Sequence, residues 1–204
     1  MSNNTINKRG VALRYAIKIA ILSAIAAVVM LFEFPLPFLA PSFYELDLSE
    51  AIIMMGSFAI GPLAGVLMEL LKNLLNILFN GTTTAYVGEF ANFVTGCAFI
   101  LPAAFIYKYN KTIKGAIFGM ITGALSLALV GGILNYFILV PAFSKLYGLP
   151  IEAIVGMASK INPLITDLKT MVVMVVAPFN MLKGIVCSII SLIIYKRISK
   201  ILHI

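Results

Sequence analysis

The sequence predicts an all-α membrane protein of six transmembrane helices with both termini in the cytoplasm, and three observations predict it. Of its 204 residues, 61% are hydrophobic and 11% charged, with a mean hydropathy of +1.05, so a single soluble core of that size cannot hide its apolar side chains. The apolar residues are gathered into runs close to the roughly 20 residues that a helix needs to cross a bilayer. The basic residues fall in alternate connections between those runs, as they do when Lys and Arg mark the cytoplasmic side. The whole chain, 1–204, reads as a single integral membrane domain.

In chain order the expected spans are 14–33, 49–60, 62–79, 88–108, 113–139 and 171–195. The polar, basic stretch from Met1 to Gly10 precedes an apolar run too long for a signal-peptide core and without a small-residue cleavage site, so it is expected to stay attached. Span one carries Ala12, Ala16, Ala20 and Ala24 on one face, a ridge that lets another helix approach closely, either within this chain or from a partner. The connection from Phe34 to Ser49 holds Pro35 and Pro37, which forbid regular helix, and enough aromatic and leucine side chains to pack on something. It reads equally as a lid or as an interfacial loop with aromatic anchors. Span two is short and ends at Gly61-Pro62, a tight turn into span three, and span five is long enough to tilt.

Lys8, Arg9, Arg14 and Lys18 lie at the start, Lys108, Lys111 and Lys114 between spans four and five, and Lys196, Arg197 and Lys200 after span six. Six crossings put all three groups on one side, whereas five or seven would not. The opposite connections carry Glu45, Asp47, Glu50, Glu89, Glu152 and Asp167 against Lys145, Lys160 and Lys169. The formal net charge of +7 therefore reports orientation and not a nucleic-acid surface.

Polar side chains inside the apolar runs mark the candidate site, because an ionisable group at membrane depth normally faces a partner, a cavity or a ligand. Span three carries Glu69 and Lys72, three apart and able to pair, with Asn73 and Asn76 beside them. Thr82, Thr83 and Thr84 form the next turn, Glu89 and Asn92 open span four, Asn135 closes span five, and Asn180 and Lys183 sit one turn apart in span six. The topology brings Asn73, Asn76, Glu89, Asn92, Asn135, Asn180 and Lys183 to a common depth in the outer half of the bundle. That pattern describes a pocket open to the outside, since a channel or a proton relay needs polar lining all the way across. For Lys183 two other readings stand: snorkelling to the headgroups, or pairing with a carboxylate such as Glu69.

Other chemistry finds little support. Cys97 and Cys187 lie in apolar runs without metal-ligand spacing, and the sole histidine, His203, is penultimate and reads as a tail residue. The sequence has no G-x-x-x-x-G-K-[ST] phosphate loop and no paired nucleophile and base, which argues against an enzyme or a self-powered pump. A self-sufficient secondary carrier usually shows internal repeats and broken helices near the midplane, and no clear repeat is present.

Several ordered stretches resemble a known family. They are Phe32-Glu33-Phe34-Pro35-Leu36-Pro37, Leu46-Asp47-Leu48-Ser49, the run from Gly56 to Gly65, Glu69 to Leu74, Gly88 to Phe93, Leu134 to Phe137 and Pro178 to Gly184. Together they are similar to the substrate-binding S components of energy-coupling factor (ECF) vitamin transporters, and within them to the riboflavin-specific type. The resemblance implies an ECF S-component fold in the plasma membrane of a prokaryote, no enzymatic activity and no cofactor, with riboflavin as the transported ligand. It also implies partners: a scaffold transmembrane subunit, met by Ala16, Ala20 and Ala24, and two ATPase subunits. It places the flavin ring against Asn135, Asn180 and Lys183, with backbone near Leu46 contributing from the outer loop. Thr83, Glu89 and Asn92 are candidates for the ribityl chain from their location. The stretch 144–167 has no confirmed counterpart, and a different vitamin remains the alternative ligand. An isoalloxazine ring suits this set, because its flat apolar face wants Phe, Tyr and Leu, and its edge of carbonyls and N–H wants amides and a lysine.

Overall fold

The computed structural model describes Ser2–Leu202, with side chains described for residues 10–195; His203 lies outside this range. The chain is a bundle of helices: α1 (Ser2–Met30), α2 (Glu50–Ile60), α3 (Pro62–Asn80), α4 (Val87–Tyr109), α5 (Ile113–Leu134), α6 (Val140–Tyr147), α7 (Ile151–Ser159), α8 (Leu168–Met171) and α9 (Ala177–Leu202). Single π-helical turns, Asn135–Leu139 and Val172–Val176, join α5 to α6 and α8 to α9. Five helical stretches among the described residues are long and apolar enough to cross a membrane: Gly10–Met30, Pro62–Asn80, Val87–Tyr109, Ile113–Tyr147 and Leu168–Tyr195. The shorter apolar helix is α2, whose 11 residues span about 16 Å at about 1.5 Å each. Large apolar side chains such as Ile21, Leu67, Phe118, Leu129 and Ile189 face outward, as a lipid solvent requires.

The helices depart from the expected runs at three places. Helix α1 stops at Met30 and not at residue 33, because Phe34-Pro35 leaves the helix to pair antiparallel with Glu45-Leu46. The loop expected to be irregular is thus pinned by a two-stranded ladder. The fifth helical stretch continues past 139 to Tyr147, since the π-helical turn carries the chain into α6, with Pro141 in its first turn. The stretch 144–167 contains α7, whose Ile154, Val155 and Ala158 are buried. The turn at Gly61-Pro62 forms as expected: Gly61 adopts φ +130, which suits only glycine, and Pro62 opens α3.

Two apolar clusters hold the bundle. One joins α1, α2, α3, α4, α5 and α9, with α2 packed against α1, α3, α4 and α9, and includes Ile53, Met54, Phe58, Met68, Phe99 and Met120. The other, around Ala40, Leu46, Val140, Ile154, Met171 and Phe179, fastens the hairpin loop and α7 at one end of the bundle, here termed the loop end. Close approach of α4 and α5 depends on small residues, since a Cβ at Gly119 would lie 2.8 Å from the Ala103 carbonyl oxygen.

Between these clusters lies a buried charge network. Lys72 Nζ stands 2.8 Å from Glu50 Oε1, 3.0 Å from Glu69 Oε2 and 3.8 Å from Asp47 Oδ2. Asp47 is held in turn by Ser49, whose N–H and hydroxyl donate to its two oxygens at 2.7 and 2.6 Å. Gly96 makes room for Glu69, because a Cβ there would come within 2.6 Å of its carboxyl carbon. The pairing of Glu69 with Lys72 expected from their spacing is present, and Glu50 and Asp47 join it from α2 and from the loop before it. Removing one member of a buried ionic group leaves its partners uncompensated and costs about 3–5 kcal/mol. Lys72→Met is therefore expected to lower the thermal unfolding temperature of the purified protein sharply, and adding Glu69→Gln to recover part of the loss. Wild-type stability in the single variant would show that the network carries no such weight.

Candidate functional site

An open cavity of about 610 Å³ lies at the loop end, lined by the hairpin loop, the α3–α4 turn, the α5–α6 junction, α7 and α9. Its size is that of a small-molecule site, roughly 300–1,000 Å³. At its floor Asn135, the first residue of one π-helical turn, meets Asn180, which follows the other by one helical turn. π-helical turns recur at functional sites because they re-aim side chains without ending a helix.

The two asparagines are oriented by the backbone around Gly131. Asn135 Nδ2 donates to the Gly131 carbonyl at 2.8 Å, and Asn180 Nδ2 donates to the Val176 carbonyl at 3.0 Å. A Cβ at Gly131 would lie 2.5 Å from Asn180 Nδ2, so only glycine lets α9 bring this amide so close to α5. Tyr44, from the hairpin loop, donates its hydroxyl to Asn135 Oδ1 at 2.6 Å. Burial pushes the Tyr44 phenol above its usual range, which keeps it a donor. After these bonds each amide still has a proton to give, and each carbonyl oxygen a lone pair to accept with.

Lys183 completes the floor. Its ammonium lies 3.7 Å from Asp47 Oδ2 and 3.9 Å from Glu50 Oε1, in ion-pair range but beyond hydrogen-bond distance. Among the described residues Lys72 holds the short contacts to Glu50 and Glu69, so Lys183 is balanced electrostatically while its protons point to no close acceptor. The alternative pairing of Lys183 with Glu69 is not formed, because Lys72 reaches Glu69 from the same helix. Snorkelling is excluded equally, since Lys183 is 8% exposed.

The walls are apolar and aromatic, with Phe43, Leu139, Phe143, Ile154, Met157 and Phe179 among them. The Tyr44 ring sits 5.8 Å from that of Phe179 and 4.7 Å from that of Phe43. Asn76, Thr83, Glu89 and Asn92 line the cavity from α3, the turn and α4. Thr84 donates to Glu89 Oε2 at 2.8 Å, and Tyr147 donates to the Thr83 carbonyl at 3.1 Å, which ties α6 to the α3–α4 turn.

Of the residues singled out in the sequence, Thr83, Glu89, Asn92, Asn135, Asn180 and Lys183 line this one cavity. Leu46 does not: its side chain is buried in the loop-end cluster and its backbone pairs with Phe34, while its neighbours Glu45 and Asp47 reach the cavity. Asn73 is also absent from the lining, with Nδ2 bound to the Glu69 carbonyl at 2.8 Å. Sequence reasoning missed Tyr44, Asp47 as the link between two lysines, and the α6–α7 wall. The spacing of Ile151, Ile154, Val155 and Ala158 is that of an apolar helix face and was the available sign of α7. Ala16, Ala20 and Ala24 are exposed on α1, whereas Ala26 and Ala27 are buried, so the ridge does not pack within this chain.

Membrane-length helices around one polar-floored cavity near the bundle end define a membrane-embedded binding module. The profile of the family described as ECF transporter, substrate-specific component, matches residues 14–195, and the chain belongs to that family. It is 39% identical over 91% of its length to the riboflavin transporter RibU of Staphylococcus aureus, covering 90% of that protein. It is 34% identical over 88% to the riboflavin transporter FmnP of Bacillus subtilis, covering 89%. A solved structure described as the S component of a bacterial ECF transporter superposes with a TM-score of 0.72 at 38% identity, over 94% of this chain and 98% of that one. The chain is accordingly a transporter component and not an enzyme.

Glu33 lines the cavity beside the hairpin loop, facing Glu45, Asp47 and Lys183. Burial, with the charges of Glu45 and Asp47, pushes its carboxyl up to about 7 from 4.5, against an opposing pull from Lys183. A carboxyl raised in the folded state contributes stability below its unfolded pKa, and that contribution is lost as pH rises through the folded value. The ligand-free protein is thus expected to lose thermal stability between about pH 4.5 and 7 through this group, and Glu33→Gln to flatten that part of the profile and be the more stable at pH 8. Parallel profiles for the two proteins would contradict the assignment.

Proposed function

We propose that the chain is the riboflavin-binding subunit of an ECF-type uptake transporter, crossing the membrane six times with both termini cytoplasmic and its cavity facing outward. The observation that carries this reading is the floor of the cavity, where two oriented amides and a lysine with no close acceptor among the described residues stand together under aromatic walls. An isoalloxazine edge alternates carbonyls and N–H groups, which Asn135 and Asn180 can meet from both sides and Lys183 can meet as a charged donor. Its flat apolar faces match Phe43, Leu139 and Phe179. Thr83, Glu89 and Asn92 stand on the wall formed by the turn and α4, where the ribityl hydroxyls would bind. The relatives named as riboflavin transporters support the choice of ligand. Six crossings follow if α2 passes the bilayer as a short helix, and the Lys and Arg distribution then sets the orientation.

The hairpin loop has the role of a lid in this reading, since Tyr44 reaches from it to Asn135 across the cavity. Transport needs an energy source that the chain lacks, because its sequence has no phosphate loop. The scaffold transmembrane subunit and two ATPase subunits supply it, and the exposed Ala16, Ala20 and Ala24 offer the scaffold a surface for close helix approach.

Asn180→Ala and Lys183→Ala are each expected to weaken riboflavin binding by about 1–3 kcal/mol, since each leaves a buried ligand group unpaired. That is roughly 5-fold to 150-fold in a fluorescence-quenching titration. Lys183→Met keeps the length of the side chain, so native-like binding by a stably folded Lys183→Met would remove this lysine from recognition. Replacing Ala20 or Ala24 with Leu is expected to abolish uptake by cells while the isolated protein still binds riboflavin. Loss of both together would mean that the ridge maintains this chain's own fold.

A further inference from the structure

Three carboxylates share the cavity face of the hairpin loop. Phe34 pairs with Leu46 and Pro35 with Glu45, and that register carries on to set Glu33 across from Asp47. Side chains alternate along a strand, so Glu33, Glu45 and Asp47 fall on one face of the ladder. All three line the cavity, where Lys183 is the one ammonium among the described residues and stands 3.7 Å from Asp47. Lys72 reaches the same Asp47 oxygen at 3.8 Å. Both cations therefore attend Asp47, and no ion pair joins either to Glu33 among the described residues, although Lys183 pulls on it at longer range. Glu33 is left against Glu45, with which its side chain makes hydrogen-bond contact. Two carboxyls share such a bond only with a proton between them, and like charges facing each other across a ladder destabilise it. The other titratable groups around the cavity are engaged elsewhere: Tyr44 with Asn135, Glu89 with Thr84 and Tyr147 with the Thr83 carbonyl.

Resting on the lid reading above, we infer that Glu33 is a proton-operated latch for the hairpin loop: protonated, it bonds to Glu45 and holds the base of the ladder together, and ionised, it repels Glu45 and Asp47 and loosens the loop. The ladder matters to the ligand because Tyr44 adjoins Glu45 and carries the contact from the loop to Asn135 at the cavity floor. A loop freed at its base lets go of that contact and opens the way out. Acid outside therefore keeps the cavity shut, and alkali lets a bound flavin leave. The sign follows from linkage: a group that holds its proton more tightly in the closed state favours that state, and the advantage is lost as pH rises through its closed-state value. Glu33 stands at about 7 with the loop closed and returns towards 4.5 on release to solvent. Across that range the closed form loses up to roughly 300-fold of its advantage.

Two readouts test the latch. The sequence has no tryptophan, so Leu39→Trp places a single reporter on the loop, at a half-buried side chain that packs on the loop-end cluster and does not line the cavity. In the ligand-free purified protein, quenching of this tryptophan by acrylamide is expected to rise with pH through a midpoint of about 7, and to stay flat when Glu33→Gln is added, because an amide keeps its protons throughout. In stopped-flow release of riboflavin from the protein without the reporter, the dissociation rate is expected to rise about threefold or more between about pH 5.5 and about 8.5, and to stay level in Glu33→Gln. A loop signal independent of pH would overturn the inference, as would an equal rise in Glu33→Gln, which would assign the titration to another group. A loop that titrates without any change in release would overturn its role as a latch. Should Glu33→Gln not fold, Glu45→Gln decides: an amide there can donate to an ionised Glu33, so the midpoint must fall, and an unmoved midpoint overturns the latch. If riboflavin does not bind while the loop signal titrates as described, the flavin reading fails and the latch stands.

Discussion

Lys72 has no exposed surface, yet it sits within a helix long and apolar enough to cross a membrane. An ammonium there is tolerable only if carboxylates reach it, and the fold brings three: Glu69 from its own helix, Glu50 from α2 and Asp47 from the loop that leads into α2. Several features follow from that requirement. Helix α2 must lie against α3, which the turn at Gly61-Pro62 achieves; α4 must offer Gly96 opposite Glu69; and the hairpin loop must descend far enough to deliver Asp47. Because Asp47 and Glu50 lie within ion-pair range of Lys183 as well, the same network sets the charge balance of the cavity floor. The loop, the core and the site are therefore joined through one set of ionised groups.

This arrangement divides labour between the two buried lysines. Lys72 takes the short contacts and is structural, whereas Lys183 is held at longer range and keeps its protons for whatever enters the cavity. The asparagines show the same economy: one bond on each side fixes the amide, and the remaining capacity faces inward. A site of this kind is preorganised, so the ligand is not asked to orient the groups that bind it.

Much of the fold was legible because the solvent is lipid. Apolar runs and basic connections located the helices, and the turn at Gly61-Pro62 was readable from the backbone needs of two residues. Polar residues placed where lipid should not tolerate them led directly to Asn135, Asn180 and Lys183. What sequence could not supply were pairings across long separations. The i, i+3 rule joins Lys72 to Glu69, but no local rule joins Lys72 to Glu50, 22 residues away, or Tyr44 to Asn135, 91 away. The end of α1 was misplaced because Leu31 and Phe32 prolong the apolar run, and only the pairing of Phe34 with Leu46 takes the chain out of the helix. Helix α7 was obscured by its polar flanks, although its apolar face repeats at helical spacing.

The central claim is that this cavity holds a flavin. Its most direct test is the absorption spectrum of the protein purified from riboflavin-replete cells, followed by denaturation and mass analysis of whatever is released. The account predicts a yellow protein with flavin absorption bands, quenched flavin fluorescence that recovers on unfolding, and riboflavin released in near-equimolar amount. A folded protein that is colourless and does not quench added riboflavin would contradict it.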